Sequence, residues 1–202
     1  MGTDDFWEKE FGDAYHERQK QKDVGSVVSN IAFFSRILSK TKDVNRVIEF
    51  GAGTGQNMQA INHLGKDLAI IGVEINSEAA EQIPCGYIFR QSIFDFKPPN
   101  IERVDLAFTK GLLIHLNPDS LEKAYEVLYL TSSKYILICE YYNPTPIEVE
   151  YRGHSGKLWK RDFAGEMMNK YPGLELIDYG FVYHKDQFPQ DDLTWFLMEK
   201  KL

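Results

Sequence analysis

The chain has 202 residues, of which 43% are apolar and 26% charged, and it carries a formal net charge of -7 at pH 7. This length suits one well-buried domain and is short for two, while the composition excludes a disordered, collagen-like or disulfide-scaffold chain. The acidic balance, with a pI near 5.3, argues against a nucleic-acid partner, which needs a clustered basic face.

The opening Met1–Asp5 is polar and acidic, so no secretory signal is expected. Residues 1–40 read as a helical segment, either a lid or a packing piece, ahead of a core over 44–202. Phe6, Trp7, Glu10, Phe11, Ala14, Tyr15 and Arg18 recur at helical spacing. A second helix is expected over Val24–Leu38. From residue 46 short apolar runs alternate with helical stretches. Strands are expected at 46–50, 68–74, 87–89, 104–108 and 134–140, and helices at 57–64, 77–82 and 120–130. Asn117-Pro118-Asp119 supplies the entry turn and cap of the last of these helices. The strands are continuously apolar, as strands covered on both faces of a parallel sheet should be. Near the end, a helix at 163–168 precedes strands at 174–183 and 193–199. The segment Lys185–Asp192 between those strands is too short for a crossover helix, so the two must be antiparallel neighbours. The expectation is a single α/β domain over 1–202, a mostly parallel doubly wound sheet ending in an antiparallel hairpin with helices at the amino end. No apolar run reaches the ~20 residues that span a bilayer. Cys85 and Cys139 lie in apolar surroundings and read as reduced thiols of a cytoplasmic protein.

The first strand runs into Glu49-Phe50-Gly51-Ala52-Gly53-Thr54-Gly55-Gln56-Asn57. Glycines let the chain turn sharply and let its backbone approach a ligand, and the next helix then presents unpaired N–H groups. A dinucleotide site wants G-x-G-x-x-G, but Gln56 stands where the third glycine would be. The spacing E-x-G-x-G-x-G instead resembles the first motif of class I methyltransferases. That resemblance implies S-adenosylmethionine against the turn, with Glu49, Gly51, Ala52, Gly53, Gly55, Gln56 and Asn57 around its methionine end. Glu74 ends the second strand 23 positions after Gly51, near the ~20 at which an acidic residue holds a ribose. Glu74 and Ile75 are therefore ribose candidates. Gln91, Ser92 and Ile93 follow the third strand, where such enzymes hold the adenine, with Asp95 an alternative to Ser92. Lys110 and Gly111 end the fourth strand on the same crevice, and Tyr15 or Arg18 would meet the cofactor's carboxylate from a lid.

Farther along, the chain reads Phe108-Thr109-Lys110-Gly111-Leu112-Leu113-Ile114-His115-Leu116-Asn117-Pro118-Asp119, then Tyr135-Ile136-Leu137-Ile138-Cys139-Glu140-Tyr141-Tyr142-Asn143-Pro144. Tyr151-Arg152-Gly153-His154 and Lys160-Arg161-Asp162-Phe163-Ala164-Gly165-Glu166-Met167-Met168 follow. Together with Phe6-Trp7 and Gln190-Asp191-Asp192-Leu193-Thr194-Trp195-Phe196, these resemble the small methyltransferases associated with pseudaminic acid biosynthesis. The resemblance implies an enzyme that turns S-adenosylmethionine into S-adenosylhomocysteine while methylating a small anionic sugar or nucleotide sugar.

Methyl transfer needs alignment of acceptor and methyl group, exclusion of water, and a base when the nucleophile carries a proton. His115, Tyr142 and His154 are the candidate catalytic groups, and His184 a weaker one. Tyr141, Asn143 and Arg152 are candidates for holding the acceptor, Arg152 through an anionic group. The segment from about 143 to 162 reads as an irregular cap. No metal is expected, because histidines and cysteines lack short ligand spacings. Two other readings stay open, a nicotinamide-dependent oxidoreductase and a non-catalytic S-adenosylmethionine-binding protein.

Overall fold

The structure, a computed structural model, describes residues 3–8, 12, 24–65, 67–97 and 103–201. In chain order its elements are α1 (Thr3–Glu8), α2 (Val24–Leu38), β1 (Arg46–Phe50), α3 (Gln56–Leu64), β2 (Ala69–Glu74), α4 (Ser77–Glu81), β3 (Tyr87–Arg90) and β4 (Val104–Lys110). Then come α5 (Leu121–Thr131), β5 (Ser132–Glu140), β6 (Ile147–Glu148), β7 (Trp159–Lys160), α6 (Phe163–Lys170), β8 (Leu174–Val182) and β9 (Leu193–Lys200). Each strand and helix expected from residue 24 onward is present. The candidates Tyr15 and Arg18 lie outside the described residues.

Seven strands form one sheet in the order β3-β2-β1-β4-β5-β9-β8. The first five run parallel, and β9 runs antiparallel to both β5 and β8. β9 takes the inner place because its side chains can fill it: Leu193, Trp195, Leu197 and Met198 are all buried. β8 carries mostly exposed side chains and closes the edge. Gly180 on β8 lies against the Trp195 ring, whose nearest atom would stand 2.9 Å from a Cβ placed there.

The helices cover both faces, which is why the central strands are apolar throughout. Phe34 and Ile37 of α2 and Met58 and Ile61 of α3 pack with Val47, Leu106 and Leu137 on one side. Tyr125 and Leu128 of α5 and Phe163 and Met167 of α6 pack with Ile48, Ala107 and Ile136 on the other. The starts of α4 and α6 are capped by side chains, with Asn76 Oδ1 accepting from Ala79 N at 2.8 Å and Asp162 Oδ1 from Gly165 N at 2.9 Å.

The stretch expected to be an irregular cap is ordered into a short ribbon. β6 pairs antiparallel with β7, and Tyr151 and His154 exchange backbone hydrogen bonds of 2.9 and 3.0 Å. Arg152 (φ 52) and Gly153 (φ 81) both have positive φ, the backbone that a two-residue hairpin turn demands. Arg152 thus stands at a hairpin tip. No helix among the described residues is long and apolar enough to cross a membrane.

Candidate functional site

A cavity of about 690 Å³ opens at the carboxyl ends of β1, β2 and β4, within the roughly 300–1,000 Å³ usual for small-molecule sites. It lies where a doubly wound sheet reverses its strand order, the place such sheets use for ligands.

The glycine turn forms one wall. Gly51, Gly53 and Gly55 have φ of 76°, 55° and 80°, which only glycine adopts readily. Gly51 N and Ala52 N bond to Val73 O at 2.8 and 3.1 Å, tying the turn to β2. Glu74 is 6% exposed and completes the tie: its Oε2 accepts from Gly53 N at 2.7 Å and its Oε1 from Asn76 N at 2.8 Å. Burial pushes its carboxyl above the ordinary range, against the downward pull of those N–H groups.

Behind the turn, Glu49 is fully buried, and its Oε1 accepts from Asn57 Nδ2 at 2.6 Å. Glu49 Oε2 and Asn57 Oδ1 are buried acceptors without a protein partner. Burial raises the Glu49 carboxyl to about 8, so it holds a proton at neutral pH. Unfolding returns it to an ordinary 4.5; between those values the native state keeps a proton that the unfolded chain releases. Its contribution to stability is full below about pH 4.5 and is lost as the pH rises through 8. The ligand-free protein should therefore melt at progressively lower temperature across that window, and Glu49→Gln should remove part of the decline. A melting temperature that climbs over the same range would show the carboxyl ionised in the fold.

Gln91, Ser92 and Ile93 line the cavity beyond Glu74. Gln91 N bonds to Glu74 O at 3.0 Å, and Ser92 Oγ caps the following turn by accepting from Phe94 N at 3.2 Å. Between the two residues left open for this position, Ser92 faces the cavity, while Asp95 is exposed and outside its lining.

Lys110 and Gly111 form the floor, and Gly111 (φ 76) turns the chain toward His115. The backbone N–H groups of Leu112, Leu113 and Ile114 point at the Glu140 carboxylate, at 3.1, 3.1 and 3.4 Å. Glu140 is 2% exposed, and burial pushes it up to about 7 despite three donors. Sequence reading passed over Glu140; an acid closing an apolar strand was its one signal.

His115 is buried, and its Nδ1 lies 2.8 Å from Lys157 O. A carbonyl oxygen only accepts, so Nδ1 carries the proton and Nε2 keeps a lone pair. Burial lowers its pKa to about 4, leaving it neutral at physiological pH. Its ring packs at 4.4 Å from that of Trp7 and 5.0 Å from that of Tyr151. Helix α1 thus lies across the cavity, with Trp7 in the wall and Asn76 Nδ2 donating to Trp7 O at 3.3 Å.

The remaining candidates divide. Tyr141 and Arg152 line the cavity, with the Arg152 guanidinium 5.7 Å above the Tyr151 ring. Tyr142 and Asn143 are not in its lining: Tyr142 sits 5.7 Å from the Phe196 ring, and the Asn143 amide bonds to Thr145 O. His154 is also outside it, packed edge-on against Phe6 at 5.3 Å. Lining residues not singled out beforehand include Ser29 and Asn30, whose signal was polarity on the otherwise apolar face of α2, and the hairpin residues Gln190 and Asp191. His184, the weaker candidate, lines the cavity as well and is bound to Asp192.

No protein-family model matches the chain, and no curated protein does. Solved structures do. Magnesium protoporphyrin IX methyltransferase from Synechocystis PCC 6803, with S-adenosylmethionine bound, shares 12% identity at TM-score 0.68, covering 100% of this chain and 98% of that one. The 1,6-didemethyltoxoflavin-N1-methyltransferase of Burkholderia thailandensis, with 1,6-didemethyltoxoflavin and S-adenosylhomocysteine bound, shares 15% at TM-score 0.69 over 95% and 86%. A plantazolicin methyltransferase in complex with a pentazolic desmethylPZN analogue and S-adenosylhomocysteine shares 10% at TM-score 0.63 over 94% and 90%. The fold is the Rossmann-like fold of class I S-adenosylmethionine-dependent methyltransferases.

Proposed function

We propose that the chain is an S-adenosylmethionine-dependent methyltransferase of a small polar metabolite, acting in the cytoplasm, where the free thiols of Cys85 and Cys139 persist. The observation that carries this reading is the Glu74 carboxylate, pinned by two backbone N–H groups between the glycine turn and the wall formed by Gln91, Ser92 and Ile93.

Three features of the chain's own residues suit that cofactor. Each Glu74 oxygen keeps a lone pair after its backbone bond, which fits a pair of ribose hydroxyls. Asn57 Oδ1 and Glu49 Oε2, which have no protein partner, fit an ammonium group, whose charge favours loss of the Glu49 proton. A Cβ at Gly111 would meet nothing within 4 Å, so the floor there is open to close approach. When bound, S-adenosylmethionine supplies an electrophilic methyl group on a sulfonium centre. The protein aligns the acceptor against it and excludes water by placing Trp7, His115 and Tyr151 across the cavity. His115, neutral and with Nε2 free to accept, orients a donor group of the acceptor. Arg152, presented at the ribbon tip, matches a carboxylate or phosphate. With the motif resemblance, this favours an anionic sugar or nucleotide sugar as acceptor.

Calorimetry with S-adenosylmethionine, S-adenosylhomocysteine and NAD tests the reading. Binding of the first two and none of NAD is expected. Tight binding of NAD alone would replace it with an oxidoreductase. Labelled methyl transfer to a panel of monosaccharides, sugar acids and nucleotide sugars then tests the acceptor class, and turnover confined to amines would reject it.

A further inference from the structure

We infer that His184, held by Asp192, is the general base of the reaction and that the methyl acceptor is therefore a hydroxyl whose proton it removes. This rests on the methyltransferase reading and assigns the proton-transfer step that reading leaves open.

The β8–β9 hairpin brings the two residues together. His184 lies just past the end of β8 and Asp192 just before β9, so the Val182–Leu193 pairing that ends the ladder brings them near each other. The Asp192 carboxylate takes the His184 backbone N–H at 2.9 Å and faces ring Nδ1 through both oxygens, at 2.9 and 2.8 Å. Asp192 adopts a left-handed backbone (φ 56), which aspartate tolerates better than most residues. The hairpin is itself fastened across the cavity, with Gln190 Nε2 donating to Asn30 Oδ1 of α2 at 3.0 Å.

This geometry settles which nitrogen is free. A carboxylate only accepts, so Nδ1 carries a hydrogen, and in the neutral ring the lone pair is then on Nε2. His184 lines the cavity, and with Nδ1 taken, Nε2 is the nitrogen left for a ligand. The bonds from His184 hold the Asp192 carboxyl below its ordinary range, so an anion already stands beside the ring when it gains a proton. A base in this arrangement is held in a fixed orientation toward the cavity.

The other candidates lack these properties. His115 rests on a neutral carbonyl in a buried setting that lowers its pKa to about 4, so charging it is costly. His154 packs on Phe6 outside the cavity lining. Tyr142 is likewise outside the cavity lining, and burial raises the hydroxyl of its neighbour Tyr141, which does line it, to about 12.

The step balances as follows. The acceptor oxygen forms a bond to the methyl carbon while the carbon–sulfur bond breaks, its electron pair remaining on sulfur as a neutral thioether. The acceptor's proton passes to His184 Nε2, and the positive charge lost by the sulfonium reappears as imidazolium beside Asp192. The His184 side chain is 49% exposed, so the proton can then leave to water. No metal or further co-reactant is required.

The test has three arms. Long-range nitrogen-15 NMR of the ligand-free protein reads the ring tautomer directly: His184 should be protonated at Nδ1 in the wild type and shift toward Nε2 protonation in Asp192→Asn. Calorimetry with S-adenosylhomocysteine should show unchanged affinity in His184→Gln. Turnover of a sugar hydroxyl acceptor should fall roughly 10²–10⁴-fold in His184→Gln, the usual contribution of a general base. Nε2 protonation in the wild type, or His184→Gln turning over as fast as wild type, overturns the assignment. If no panel member is methylated, the tautomer alone decides. Failure of the wild type to bind S-adenosylhomocysteine would instead remove the underlying reading, an outcome separate from both.

Discussion

Replacing Glu140 with alanine is expected to destabilise the protein by about 2–4 kcal/mol, because buried donors left without an acceptor cost ~1–3 kcal/mol each and do not add fully. For a chain of this size that corresponds to a melting temperature lower by roughly 4–16 °C, measurable by thermal denaturation. The reasoning lies in the turn after β4. Gly111 reverses the chain, and the N–H groups of Leu112, Leu113 and Ile114 then converge on one carboxylate. At Leu113 and Ile114 water is no ready substitute, since Leu113 is fully buried and Ile114 is 3% exposed. The same turn presents Gly111, Leu112 and His115 to the cavity. The variant should therefore also bind S-adenosylhomocysteine more weakly. Glu140→Gln keeps one acceptor oxygen and should fall between alanine and wild type. Alanine with wild-type stability would mean the turn finds other acceptors.

Glu74→Ala should weaken S-adenosylhomocysteine binding by roughly 10–150-fold, the loss of a hydrogen bond to a charged group worth ~1.5–3 kcal/mol. Calorimetry measures this directly. Two effects act together: the ligand loses an acceptor, and Gly53 N and Asn76 N lose the group that fixes the turn against α4. Glu74→Gln helps to separate them. The amide oxygen can still satisfy one backbone donor, but its NH₂ offers a donor where the other N–H needs an acceptor. Partial loss is expected. Unchanged affinity in Glu74→Ala would reject the ribose-holding role.

Much of the sheet was legible because its signals are local. Strands such as Val47-Ile48-Glu49-Phe50 and Ile70-Ile71-Gly72-Val73 are apolar on both faces, and only burial on both faces explains that. The short connection Lys185–Asp192 forced an antiparallel pair. The glycine turn and Glu74 could be placed together because both stand at carboxyl ends of neighbouring strands, here in the register Phe50 with Val73. Sequence spacing alone did not separate Tyr141 from Tyr142, yet only Tyr141 lines the cavity. Successive side chains leaving a strand point to opposite sides, and the sense of that alternation depends on what covers each face.

Local pattern thus determined which elements form, the direction of each strand, and one wall of the cavity. Tertiary packing decided that β9 rather than β8 lies beside β5, because burying Trp195 and Leu197 favours the more apolar strand inside. It also decided that Glu140 reaches across to the turn after β4, that Arg152 stands at a ribbon tip, and that His184 faces the cavity with Asp192 behind it. These are contacts between segments far apart in the chain, or across a hairpin whose register is set by pairing. Their energies come from burial and shared hydrogen bonds that no local window of sequence contains. The glycine turn could be read from its own residues; the proton acceptor proposed opposite it required the fold.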